Sequence, residues 1–256
     1  MTDIPTVQLT FNPNAVPVAA QLSAAESNEA VSFFLKSLET TDLSASPAPP
    51  QNSIVYSLST SYTADQRRDV LTAWIVAKGL HELVRGLRQT LEEAYLFTEA
   101  IKQLAGSIAP IELETRVNEI RQRANKLNFP QLISEVKGRL TSVISFETEI
   151  LSLIRVRNCL EHRHGVVGSV DADVSGQLSL TLPRLQLVTT LDGKEVEVAP
   201  GLVTGESPAA VSIKRVNRER IYHVGEKIEI DAAQFQELAF ACHLFAEDIA
   251  SKLPTV

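Results

Sequence analysis

The sequence predicts a mainly α-helical fold: a helical bundle with a small antiparallel β insertion before the last helix. Three observations carry this expectation. Apolar residues recur every three and four positions from Val70 to Leu160, the period falls to two after Gly165, and helical spacing resumes beyond Asp231. With 256 residues, 44% of them hydrophobic, the chain can bury an ordinary core.

In chain order, the spacing predicts a helix over Ala24 to Leu38. Ser44 to Gln51 carries Pro47, Pro49 and Pro50 and reads as a linker, since proline fixes φ and lacks a donor. Ile54 to Leu58 is expected to form a short strand. Thr63 and Gln66 have capping-box spacing, and beyond them Val70, Leu71, Trp74, Ile75, Leu83, Val84, Leu87, Leu91 and Tyr95 mark a long helix. Gly79 and Gly86 each cost that helix about 1 kcal/mol relative to alanine, so a bend is expected there. Pro110 suits the first turn of a second helix with the stripe Leu113, Val117, Ile120, Ala124 and Leu127. A third, at Pro130, carries Leu132, Ile133, Val136 and Leu140, and a fourth runs from Phe146 to His162, stopped by Gly165.

Leu178, Leu180 and Leu182 then alternate with polar residues, Asp192-Gly193 signals a hairpin, and Val196 and Val198 alternate again. Two further strands are expected over Val211 to Val216 and Ile221 to Ile230, with Gly225 at a turn. Asp231 and Gln234 cap a last helix whose row Phe235, Leu238, Cys242, Phe245 and Ile249 should return to the bundle. Four regions follow: an N-terminal appendage with linker over 1–60, the bundle over 61–166, the β insertion over 167–230 and the C-terminal helix over 231–256.

Charge and composition narrow the function. The net charge of -7 argues against broad nonspecific nucleic-acid binding. Residues 1–66 hold six acids against Lys36, leaving 25 acids and 23 bases in the rest, so a local basic patch is compatible with the total. Neither an apolar run of spanning length nor a signal-peptide layout is seen, and a cytoplasmic protein without membrane association is expected. Cys159 and Cys242 read as reduced, packed residues. No cofactor is implied, and no metal: His162 and His164 diverge on a helix, and no thiolate or carboxylate set completes a site. His81 and His243 lie within helical patterns and read as hydrogen-bonded or half-exposed histidines. His223 lies near Lys214, Arg215, Arg218 and Arg220, a charged hairpin edge before it is an RNA-binding one. Aromatic residues are few and do not interleave with basic ones.

The candidate chemistry centres on Arg157-Asn158-Cys159-Leu160-Glu161-His162. Stepping by four, Ile150 and Ile154 give way to Asn158 and His162, so a core face turns polar and should meet something polar or another subunit. Glu161 can pair with Arg157 at i,i+4. Arg157 and His162 lie about 140° apart around the axis, so they converge only if the arginine swings across near the helix end.

An Arg, a polar Asn and a His with four residues between Arg and His, followed by His164-Gly165 at a bundle-helix end, resembles the signature of the HEPN superfamily. The resemblance covers Thr63 to Gly165 and the last helix. It implies a metal-independent endoribonuclease working as a homodimer with a composite site, in a toxin-antitoxin or antiviral defence setting, with RNA and an antitoxin or regulatory protein as partners. Arg157 and His162 would be the catalytic pair and Asn158 the supporting residue, with Glu161 beside them. Arg155 with His162 and Arg157 with His164 also fit the looser spacing. Histidine titrates near neutrality and can move the protons of phosphodiester transesterification, while a guanidinium matches phosphate oxygens and stays charged. The alternative is a noncatalytic helical dimer in which the same polar face specifies association and Arg157 pairs with Glu161 across subunits.

Overall fold

The computed structural model describes residues 10–45, 61–104, 109–191, 193–198 and 210–255. The expected strand over Ile54 to Leu58 and all but the first two residues of the proline-rich linker lie outside them. After a short 3-10 turn at Pro13–Ala15, the elements are α1 (Val18–Thr40), α2 (Ala64–Gln103), α3 (Pro110–Lys126), α4 (Phe129–Lys137), α5 (Glu147–Arg163), β1 (Gln177–Leu191), β2 (Lys194–Glu197), β3 (Val211–His223) and α6 (Ala232–Ser251). The protein is therefore mainly helical, with a small three-stranded antiparallel sheet before the last helix.

The 40-residue α2 is the spine. Its start is fixed by the Thr63/Gln66 capping box, and Leu80, Leu83, Leu87 and Leu91 along it are fully buried. The helix continues without a break through Gly79 and Gly86. Both glycines are points of close approach: a Cβ at Gly79 would lie 2.5 Å from Val31 Cγ2 and 2.6 Å from the Phe235 ring, and one at Gly86 would lie 2.5 Å from Ser23. Helix α1 thus contributes to the bundle rather than standing off as an appendage, and it is longer than the expected Ala24 to Leu38. Its buried row is mostly small (Ala20, Ser23, Ala24 and Ser27, ending in Val31), which lets the backbones come together but gives little hydrophobic signal. The Ala20 amide also donates to Thr90 Oγ1 at 3.2 Å, so one unpaired donor at the start of α1 is satisfied from α2.

Helix α6, capped by Asp231 and Gln234, buries Phe235, Leu238, Cys242, Phe245 and Ile249 against α1, α2 and α5. Helices α3 and α4 meet at a second capping box, Asn128/Gln131, and Arg88 of α2 donates to the Leu127 carbonyl at 3.0 Å to hold that corner.

In the sheet the strand order is β2-β1-β3. Leu178, Leu180 and Leu182 of β1 are buried and stand opposite Tyr222, Arg220 and Arg218 of β3. Contacts of β1 with α5 and α6 and a Thr181 amide donating to Ser152 Oγ at 3.0 Å dock the sheet on the bundle. Where two strands were expected, Val211 to His223 is a single strand paired along its length with β1. It ends at the Gly225 turn, whose φ of 89° suits glycine, and Ile228 and Ile230 are buried without forming a strand.

Candidate functional site

Helix α5 delivers the motif to an edge of the bundle. Along its four-step row Ile150 is fully buried, Ile154 and Asn158 are half-buried and His162 is exposed, so the face rises out of the core towards the helix end, as the sequence pattern implied. The stop comes one residue before Gly165. His164 takes the left-handed conformation, φ 53°, and the Gly165 amide donates back to the Cys159 carbonyl at 3.2 Å.

Beyond the helix, Arg163 closes a fork on Asp171, with Nε 2.5 Å from Oδ2, and the Gly168 amide donates to the same carboxylate at 2.9 Å. Burial, the largest influence on Asp171, opposes its ionisation, but the Arg163 fork and the Gly168 amide outweigh it and hold the carboxyl below its ordinary value. Arg163 therefore anchors the loop to the helix. Cys159 is buried next to this pair, and burial together with the Asp171 charge pushes its thiol up to about 11. At neutral pH it is a protonated, packed side chain and not a nucleophile.

Arg157 is held within its own chain. Its Nη1 donates to Asn158 Oδ1 at 3.0 Å, and Nε lies 3.1 Å from Glu161 Oε2, an ion-pair distance. The Nε–H is not directed at an acceptor, so that contact is electrostatic and not a hydrogen bond. The Arg157 and Glu161 side chains are each 21% exposed. The i,i+4 pair is thus intrachain.

The sequence did not point to His81 as part of the site. From α2 its Nδ1 stands 2.7 Å from Glu161 Oε1, and Arg157 Nη2 comes within 3.4 Å of the same nitrogen. We assign the ring proton to Nδ1 from this 2.7 Å approach to the carboxylate. With that proton in place, the Nη2 hydrogen directed at Nδ1 meets another donor, so the Arg157 contact is a close approach that packs the guanidinium against the ring. His81 is 80 positions from Glu161 in sequence and reads there as an ordinary helix histidine; only the packing of α2 on α5 joins them.

The remaining motif residues are placed differently. His162 and His164 are exposed, and among the described residues neither hydrogen-bonds nor ion-pairs with Arg157. Arg155 is exposed and its charge acts on Asp173, apart from the Arg157 cluster.

Beside Glu161 a cleft of about 660 Å³ opens between α2 and the end of α5, lined by Tyr62, Trp74, Lys78, Glu161, His164 and Lys227. Trp74 is 64% exposed and Tyr62 is also exposed. Lys78 and Lys227 are exposed and make no ion pair among the described residues, and Asp69 is an exposed, unpaired acid on the same lining. This aromatic and basic surface comes from residues 62, 74, 78 and 227, a separation that conceals it in the sequence. The cleft joins a second cavity of about 700 Å³, reaching Arg220, through Asp69, Ala73, Leu160 and Lys227.

Among the described residues no three His, Cys, Asp or Glu side chains are grouped as a metal site requires, and no helix is long and apolar enough to cross a membrane. Compared with protein-family models, curated proteins and solved structures, the chain gave no match.

Proposed function

We propose that this chain is a metal-independent endoribonuclease of HEPN type, cutting RNA by attack of the 2′-hydroxyl at a site shared across a homodimer. The observation that carries the reading is the held guanidinium of Arg157, set against the His81 imidazole and followed on the same helix by the exposed His162, at the exposed end of a bundle helix. Charge builds on the phosphate oxygens in the transition state, and a cation fixed in advance stabilises it without reorganising. Arg157 supplies that cation, Asn158 and Glu161 orient it, and His162 moves a proton. Trp74 and Tyr62 offer faces for unstacked bases next to the scissile linkage, with Lys78 and Lys227 placed for neighbouring phosphates. A toxin or antiviral effector in the cytoplasm, restrained by an antitoxin or regulatory protein, is the setting that the resemblance implies.

One observation favours the second reading, a noncatalytic helical dimer. Arg157 is mostly buried and its charge is already met by Glu161, as in a purely structural ion pair. The test compares wild type with Arg157→Ala and His162→Ala for RNA cleavage in EDTA, oligomeric state and toxicity on expression. Loss of cleavage by ~100-fold or more in both variants, with dimerisation retained, supports the enzyme. Intact RNA with the wild-type dimer, or dimer loss as the sole effect of the variants, supports the interaction module.

A further inference from the structure

Transesterification of RNA moves two protons: one leaves the attacking 2′-hydroxyl, and one must reach the departing 5′-oxygen. A motif with a single histidine supplies one of these transfers in each copy. The structure puts the imidazole of His81 against Arg157, and its contact with Glu161 assigns which nitrogen can react. His81 Nδ1 is committed to Glu161 Oε1 at 2.7 Å, so its proton sits there and Nε2 carries the lone pair. A carboxylate holding one imidazole nitrogen while the other takes a proton is the arrangement by which a histidine is fixed in the tautomer of a general base. The side chain is 39% exposed, so a substrate can reach it. Arg157 Nη2 lies 3.4 Å from the same Nδ1, which puts the cation and the imidazole in one cluster and leaves Nε2 without a hydrogen-bond partner among the described residues.

We propose that His81 is a catalytic residue of this site, the general base, and that His162 is the general acid. This rests on the ribonuclease reading given above. As the 2′-oxygen attacks phosphorus, its proton passes to His81 Nε2. The bond from phosphorus to the 5′-oxygen breaks and that oxygen takes a proton from His162, giving a 2′,3′-cyclic phosphate and a 5′-hydroxyl. His81 then returns its proton to solvent and His162 regains one, so no oxidant, reductant or further reactant enters. Glu161 is a positioning residue acting through His81 and Arg157.

The decisive variant is His81→Asn, whose side-chain amide nitrogen falls close to the place of Nδ1 and keeps a donor for Glu161 while removing the basic nitrogen. Its thermal melting and oligomeric state are measured beside cleavage, on ordinary RNA and on RNA with sulfur replacing the bridging 5′-oxygen at the scissile site. A thiolate departs without a proton donor, so the second substrate separates base from acid. The expected result is a loss of ~100-fold or more for His81→Asn on both substrates, with melting and assembly unchanged. His162→Ala should be as impaired on ordinary RNA but close to wild type on the sulfur substrate. Wild-type cleavage by His81→Asn overturns the assignment while leaving the ribonuclease reading intact. Rescue of His81→Asn by the sulfur substrate also overturns it, because His81 would then be the acid. Absence of cleavage by wild type, or full activity of Arg157→Ala, removes the ribonuclease reading itself and this inference with it.

Discussion

Replacing Gly86 by alanine sets two effects of known size against each other. In an isolated helix the change is favourable by about 1 kcal/mol. Here the new methyl would sit 2.5 Å from Ser23 Cβ and Oγ and 2.9 Å from the Ala19 carbonyl oxygen, about 1 Å inside ordinary contact. Ser23 could rotate its hydroxyl, but the carbonyl belongs to the backbone of α1, so the whole helix must retreat from α2. Overpacking of this kind costs about 1–3 kcal/mol, and a backbone obstacle puts it at the upper end, for a net destabilisation of about 2 kcal/mol. Gly138 is the control. Its φ of -65° is helical and nothing lies within 3.7 Å of the Cβ position, so alanine there should stabilise by about 0.4–1 kcal/mol. Urea unfolding followed by circular dichroism distinguishes the two, with the Gly86→Ala midpoint falling by roughly 0.7–1 M and the Gly138→Ala midpoint rising slightly. If Gly86→Ala stabilised the protein as Gly138→Ala does, α1 would not lie on α2 as described.

The other expectations concern the site and its supports. Asp171 has a depressed folded-state value, so the stability it contributes is present above its unfolded value of about 3.9 and is lost as pH falls through the folded one. Asp171→Asn should cost about 2 kcal/mol at pH 7 and weaken the dependence of the melting temperature on pH below about 4; an unchanged acid profile would contradict the Arg163 fork. Cys159 and Cys242 are both buried, their thiols pushed up chiefly by burial, so a disulfide reagent at pH 8 should label neither until the protein is unfolded. Trp74 is the single tryptophan of the chain. With cleavage-impaired His162→Ala, single-stranded RNA should quench its emission, and adding Trp74→Ala should raise Kd by roughly 5- to 100-fold; unchanged emission at saturating RNA would rule out stacking on this residue.

Much of the bundle was legible because its signals are local. Two capping boxes, Thr63/Gln66 and Asp231/Gln234, mark helix starts, and the Leu178, Leu180, Leu182 alternation marks β1. What escaped depends on contact between distant segments. Helix α1 packs through alanine and serine, whose burial leaves little periodic trace, so it read as an appendage. Gly79 and Gly86 carry a helix penalty in sequence, and only the neighbouring backbones reveal what they accommodate. Strands were expected over Val211 to Val216 and Ile221 to Ile230, on either side of the polar run Asn217 to Arg220, whereas the continuous ladder to β1 makes Val211 to His223 one strand. At the site, the Arg157 and Glu161 pair was legible from the i,i+4 step. His81 and the Trp74 cleft were not, since α2 brings them to α5 across long stretches of sequence.

The most direct test of the account is mass spectrometry of the ends made from a defined RNA in EDTA, beside the same RNA carrying a single 2′-deoxy residue at the cut position. Nucleophilic attack by the ribose hydroxyl under Arg157 predicts 2′,3′-cyclic phosphate and 5′-hydroxyl ends from the first substrate and no cut at that position in the second. Products ending in 3′-hydroxyl and 5′-phosphate, or cleavage that persists at the deoxy position, would contradict it.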